Sequence, residues 1–312
     1  MVKTQRYYCL LDIGGSKILS LLVKGNGSVV YREKVPTRET EDFNQVIEQI
    51  NMSIERSAKN LPRNAELWGI GICIAAFVNF HEGKLYGAPN LPFKRNIPLR
   101  DILYKTWKKP VVIENDANAA VLGEATYGAA KGLNNVIYIT VSTGIGGGLY
   151  LGGELYRGKD GFAGEIGHIK IDGNENLCGC GMYGCLESIS SGKAIENEGK
   201  KKLQNDNLNT ASIFAEARRG NEIAVDIINE SVSKLGAALA NLVTLLNPDA
   251  IVIGGGVSQE GELLFTKLKN YMSKNLSVPQ NRQTKLLKSK LDPESGIWGT
   301  FLLLDKAGGQ SN

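Results

Sequence analysis

The chain has 312 residues, 42% hydrophobic and 22% charged, an ordinary globular balance with enough length for two lobes. Its 36 basic and 32 acidic residues leave a net charge of only +4, which does not call for a nucleic-acid partner. No apolar run reaches membrane-spanning length, no cleavable leader is visible, and the five cysteines do not form a secreted disulfide pattern, so a cytoplasmic setting is expected.

The first strand is expected at YYCLL (7–11), with KILSLLVKG as its hairpin partner and DIGGS as the turn between them. Residues 41–60 carry Phe43, Ile47, Ile50 and Ile54 at helical spacing, and Pro62 follows. LWGIGICIAAFVN (67–79) reads as another strand region, followed by a loop rich in Pro and Asn. VVIEND (111–116) reads as a short apolar strand ending in two acids, and ANAAVLGEATYG as a helix capped by Asn115 or Asp116. VIYITVS (136–142) is expected as a strand, STGIGGG as the turn after it, and GLYLGGELY as the returning strand. Two helices divided near Gly220 are expected over 211–246, and DAIVIGGGVS (249–258) as a buried strand ending in glycines. GIWGTFLLLDKA near the end reads as a helix packing back on the N-terminal lobe. Residues 7–25 and 136–153 both run strand, small glycine-bearing turn, strand, an internal echo that two similar lobes would explain.

The 37 glycines gather at DIGG, STGIGGG, GFAGEIGH, CGCGMYG and IGGG, a distribution that suggests tight turns near ligands. STGIGGG lacks the following helix of a dinucleotide fingerprint, and DIGGSK lacks P-loop spacing. Two hairpin turns presenting backbone N–H groups to phosphates, with Ser16 and Thr143 adding hydroxyls, fit better than two unrelated tight turns. Asp116, where a buried strand gives way to a helix, is placed to accept a proton from an attacking hydroxyl, although a plain capping aspartate has the same pattern. His168, Cys178, Cys180 and Cys185 make a plausible closed tetrahedral Zn²⁺ site of structural type. Buried or redox-active thiols are the competing reading, because CxCxxxxC is not the usual zinc spacing. A metal on one His168 nitrogen would fix the other as a donor and align Glu165, His168 and Glu187 as a polar wall suited to a polyhydroxylated ligand. His81 reads as a solvated turn residue, Cys9 and Cys73 as core, and Trp68, Trp107 and Trp298 as packing.

DIGGSK, APNLP, ENDANAA, STGIGGG, GEIGH, CGCGMYGCLE and NPDAIVIGGGVS occur in the order found in the ROK family of repressors, open reading frames and kinases, which the sequence resembles over nearly its whole length. The resemblance implies an α/β, actin-like ATPase (ribonuclease H-like) fold of two domains, with ATP and sugar in the interdomain cleft. The expected small lobe is residues 1–117 plus about 298–312, and the large lobe with the zinc loop is 118–297. The resemblance further implies Asp116 as catalytic base and Asn90, Asn115, Asp116, Glu165, His168 and Glu187 as the sugar-holding set. Asp12 would sit near Mg²⁺, and Gly14, Gly15, Ser16, Lys17, Thr143 and Gly144 along the phosphates. Gly254, Gly255 and Gly256 would border the adenosine, and His168, Cys178, Cys180 and Cys185 would bind Zn²⁺.

Two positions depart from the family pattern. Ala75 and Ala76 stand where many sugar-kinase members carry Pro-Gly, and Ser142 where the second phosphate turn often begins with Gly. The expected activity is ATP-dependent phosphorylation of a hexose, the 6-hydroxyl of glucose and related sugars, by a homodimer or homotetramer. A kinase for N-acetylmannosamine or N-acetylglucosamine is the alternative, since the small alanines could admit a bulkier 2-substituent. A sugar-responsive regulator is the lesser alternative. The family's repressors carry a helix-turn-helix domain before the first phosphate motif, and here only eleven residues precede Asp12.

Overall fold

The apolar run at Tyr7 folds as β1 (Gln5–Ile13), a strand with buried residues on both faces. The computed structural model describes residues 5–88, 91, 96–278 and 283–309. The chain divides into two compact units, the first made of Met1–Gly123, Arg157–Ala163 and Glu294–Asn312, the second of Glu124–Tyr156 and Gly164–Pro293.

In the first unit β1 is followed by β2 (Lys17–Lys24), β3 (Val29–Pro36), α1 (Phe43–Ala58), β4 (Ala65–Ile74), β5 (Phe77–Asn79), β6 (Lys84–Gly87), α2 (Leu99–Trp107), β7 (Val111–Asn115) and α3 (Asp116–Thr126). The sheet order is β3-β2-β1-β4-β7. β1 and β2, and β2 and β3, pair antiparallel, whereas β1, β4 and β7 run parallel. The period-2 alternation of a strand sends Tyr7, Cys9, Leu11 and Ile13 to one face, where they meet Val46, Ile50 and Ile54 of α1 and Leu99 and Leu103 of α2. α1 starts where the Asp42 carboxylate accepts from Asn44 N at 2.9 Å.

The second unit contains β8 (Val136–Val141), β9 (Ile145–Leu151), β10 (Glu154–Tyr156), α4 (Glu187–Ser190), α5 (Gly192–Lys202), α6 (Thr210–Arg218), α7 (Glu222–Leu246), β11 (Ala250–Gly254), α8 (Glu262–Asn275) and β12 (Lys285–Lys288). Its sheet order is β10-β9-β8-β11-β12. β10, β9 and β8 are successively antiparallel, and β8, β11 and β12 are parallel. The echo between residues 7–25 and 136–153 is thus part of a larger one, because both sheets share one strand order and one set of directions. The long α7 buries Ile227, Ile228, Val232, Leu235, Leu239 and Val243, and packs against α4, α5, α6 and α8.

The last helix, α9 (Ser295–Gly309), belongs to the first unit. Its Ile297, Phe301 and Leu304 cover Tyr8, Leu10, Leu21 and Cys73 on the other face of that sheet, so the expected return of the chain end is observed.

Residue 117, the expected edge of the small lobe, lies within α3, and the first compact unit includes Arg157–Ala163. Two readings change. Only Ser142–Gly144 form a turn after β8. Gly146, Gly147 and Gly148 are ladder residues paired with Thr140, Ile139 and Tyr138. GLYLGGELY is two strands, bent at Gly152–Gly153. A glycine-rich run has no side-chain alternation, so its strand character is invisible to periodicity.

Candidate active site

In open α/β sheets ligands gather beyond the carboxyl ends of the parallel strands. In the first unit those ends carry Asp12 on β1, Ala75 and Ala76 after β4, and Asn115 at the end of β7. Asn115 is the cap of α3, its Oδ1 accepting from Ala117 N and Asn118 N at 3.0 Å each. Its Nδ2 donates to Ala76 O at 3.2 Å, tying the ends of β4 and β7 together. Asp116 is therefore freed from capping duty and opens the helix. It is half-buried, and its carboxylate accepts from Ala117 N at 2.9 Å. Burial pushes the Asp116 carboxyl above the usual aspartate range, and the hydrogen bonds it receives only partly oppose that. Buried Cys73 lies within electrostatic reach of both Asp12 and Asp116. Its thiol is pushed up first by desolvation and further by Asp12 and Asp116.

The turn between β1 and β2 closes through Gly14 N donating to Lys17 O at 3.0 Å. Thr37 Oγ1 donates to Gly14 O at 2.7 Å, leaving Gly15 and Ser16 exposed at the tip. Asn90 falls outside the described residues.

A buried acid two residues before Asp116 lies outside the expected site set. Glu114 is 1% exposed, with its Oε2 2.7 Å from Arg157 Nε and its Oε1 accepting from Asn115 N at 3.0 Å. The Arg157 guanidinium lies 3.9 Å above the Phe80 ring. Burial raises Glu114, with the Arg157 charge opposing. The signal available was the extra acid in VVIEND, since an acid in a fully apolar strand needs a cation.

In the second unit His168, Cys178, Cys180 and Cys185 converge, their donor atoms all within 4.8 Å of one another. Cys178 Sγ lies 3.9 Å from His168 Nδ1, and Cys180 Sγ 3.7 Å from Cys185 Sγ. A tetrahedron of bonds about 2.3 Å long has edges of about 3.8 Å, so spacing and donor chemistry both fit Zn²⁺. All five cysteines are free thiols. The loop is shaped by Cys178 N donating to Met182 O at 2.9 Å and by a turn through Gly181, whose φ of +85° suits glycine.

His168 ends a short 3-10 turn, Ile166–His168, that Glu165 precedes and that rests on β9. With Nδ1 toward the thiols, Nε2 is the nitrogen left for a ligand. Glu187 opens α4, and its Oε1 lies 3.7 Å from Cys178 Sγ. Its Oε2 accepts from Ile145 N at 2.8 Å, above Gly144, where any Cβ would collide with it. His168 and Glu187 thus both lie against the Cys178 thiol, and Glu187 is tied to Ile145, next to the turn at Ser142–Gly144. Thr143 is exposed on that turn. Gly254 is buried beneath Tyr138, Gly255 is half-buried, and Gly256 is exposed.

His81 is exposed in a turn, Cys9 and Cys73 are fully buried, and Trp298 packs on Phe301. No helix among the described residues is long and apolar enough to cross a membrane.

A model of the ROK family matches residues 8–307. A glucokinase of Streptomyces coelicolor is 36% identical over 275 residues, which is 83% of this chain and 84% of that protein. A xylose repressor of Caldicellulosiruptor bescii is 31% identical over 307 residues, which is 94% of this chain but 77% of the repressor. Among solved structures, a ROK family glucokinase from Streptomyces griseus, in complex with glucose and AMPPNP, superposes with a TM-score of 0.83 at 32% identity, covering 95% of this chain and 98% of that one.

Proposed function

This chain belongs to the ROK family, and from that premise we propose that it transfers the γ-phosphoryl group of Mg·ATP to a hexose, at the 6-hydroxyl of glucose and related sugars. The observation that carries the reading is Asp116, a half-buried carboxylate of raised proton affinity at the strand-to-helix junction of the first sheet. A sugar hydroxyl is far too weak an acid to be deprotonated in advance. Asp116 orients it and takes its proton as the oxygen–phosphorus bond forms and the bond to ADP breaks.

Asn115, Asp116, Glu165, His168 and Glu187, together with Asn90, form the sugar-holding set. Carboxylates accept from sugar hydroxyls and His168 Nε2–H donates. Gly14, Gly15, Ser16 and Lys17 on one turn, and Thr143 and Gly144 on the other, receive the phosphates, and Gly254–Gly256 border the adenosine. Mg²⁺, when bound, neutralises phosphate charge, and the Asp12 carboxylate is the oxygen donor type it takes. Zn²⁺ on His168, Cys178, Cys180 and Cys185, when bound, locks the loop that carries the His168–Glu187 wall. The five free thiols suit a cytoplasmic setting, and the net charge of +4 supports no nucleic-acid partner. The reading includes a homodimer or homotetramer.

The small Ala75 and Ala76 beside Asn115, with Phe162 packed against Phe77 and Tyr86, favour a second reading, an N-acetylhexosamine kinase. ADP release from Mg·ATP with glucose, mannose, fructose, glucosamine and the two N-acetylhexosamines separates them. Turnover confined to the N-acetyl sugars would replace the first reading by the second.

A further inference from the structure

β11 ends in a turn whose middle residue has no freedom left. Gly255 has φ +81°, and a Cβ there would stand 2.5 Å from Val141 O and 2.8 Å from Thr140 Oγ1. Its N–H donates to Asp292 Oδ2 at 2.6 Å, and its carbonyl accepts from Ser258 Oγ at 2.7 Å. With that N–H held by a carboxylate, the group that remains open at the turn is Gly256, which is exposed and has nothing within 4 Å of a would-be Cβ.

Asp292 is itself held from behind. It follows the segment after β12, where Asp292 N donates to Ser289 Oγ at 3.2 Å. Ser289 Oγ donates to Glu124 Oε1 at 2.6 Å, and Leu291 N to the same oxygen at 2.9 Å. Glu124 Oε2 accepts from Ala129 N at 2.7 Å and Lys290 N at 3.3 Å. Glu124 is completely buried. A buried carboxylate surrounded by backbone N–H groups and a hydroxyl is charge-assisted on several sides at once and therefore stiff.

Resting on the reading of Gly254–Gly256 as the adenosine border, we propose that Asp292 and Glu124 are positioning residues for the nucleotide. Glu124 clamps the 289–291 segment, the segment aims Asp292, and Asp292 fixes the Gly255 peptide so that Gly256 meets the nucleotide in one orientation. Neither side chain needs to touch the nucleotide. Their effect falls on nucleotide affinity and not on the sugar.

The test is equilibrium binding of the fluorescent nucleotide mant-ADP with Mg²⁺, alongside the KM for Mg·ATP and for the hexose that supports turnover. Asp292→Ala removes the acceptor at Gly255 N and should weaken mant-ADP about tenfold or more, with a matching rise in the KM for ATP and an unchanged KM for the hexose. Asp292→Asn keeps an oxygen that can turn to Gly255 N and should stay close to wild type. Glu124→Gln, which replaces an acceptor by a donor facing N–H groups, should weaken mant-ADP in the same sense, and it serves if Asp292→Ala does not fold. Equal mant-ADP affinity in wild type, Asp292→Ala and Glu124→Gln overturns the proposal. So does a parallel loss of hexose and nucleotide affinity that Asp292→Asn fails to rescue. Wild type that binds no mant-ADP would instead contradict the kinase reading itself.

Discussion

Asp116 sits between opposing influences, burial that raises its carboxyl and the Ala117 N–H that lowers it, and burial dominates. The folded protein therefore binds that proton more tightly than the unfolded chain. As pH rises from the ordinary aspartate range through the raised value, Asp116 loses its proton in the fold at a growing cost, so its contribution to stability declines. Asp116→Asn should lower kcat by about 10²- to 10⁴-fold and at neutral pH should melt at or above the wild-type temperature. The wild-type pH–rate profile should lose activity on the acid side with a midpoint above the ordinary aspartate range. Near-normal turnover of the variant would remove Asp116 from its role. The sequence made the Asp116 position legible, because VVIEND followed by ANAA places an acid at a strand–helix junction, but it left the cap undecided. The choice of Asn115 depends on an amide that can accept from two N–H groups while donating to Ala76 O across the sheet, and that tertiary contact has no local signal. Glu124 carries no signal beyond its place in a helix, since Ser289, Lys290 and Leu291, which it holds, lie far along the chain.

The element that links most chemistry is the cysteine loop, whose thiols and His168 are spaced as a tetrahedral metal requires. Elemental analysis of the purified protein should find about one Zn per chain, and chelation should weaken hexose binding by freeing His168 and Glu187. Metal-free protein with thiols that titrate freely in the native state would refute this. β7 supplies a second case, because Glu114 is buried with Arg157 as its cation. Arg157→Met strands that carboxylate and should cost about 3–5 kcal/mol in urea unfolding. Glu114→Gln combined with Arg157→Met should recover much of the loss. A third is the contact of α3 with α9, where a Cβ on Gly299 would collide with Ala119 O, so Gly299→Ala should destabilise by about 1–3 kcal/mol. At this scale apolar spacing identifies α1, whose buried residues recur at helical intervals, and a continuous apolar run identifies β1, which is buried on both faces. Apolar spacing misses α5, whose sequence GKAIENEGKKK has few apolar residues and buries little besides Ile195, leaving no stripe to count.

Across the whole molecule the same five-strand plan occurs twice, β3-β2-β1-β4-β7 and β10-β9-β8-β11-β12. Each plan opens on a hairpin whose short turn carries a proposed phosphate contact, Gly14–Lys17 after β1 and Thr143–Gly144 after β8. The hairpins were visible in sequence as an echo of short apolar runs around small turns. The parallel partners β4, β7, β11 and β12 were not recognisable as a repeat, because helices of different number and length separate them. On the proposed reading the chemistry draws on both halves of the chain, with Asp116 and one turn in the first unit and His168, Glu187 and the second turn in the second. Phosphorus-31 NMR of the purified protein with Mg·ATP and glucose tests this most directly. A hexose 6-phosphate resonance should grow in step with ADP, and Asp116→Asn should slow both by the same factor of about 10²- to 10⁴-fold. ATP that stays intact with every hexose and N-acetylhexosamine offered would contradict it.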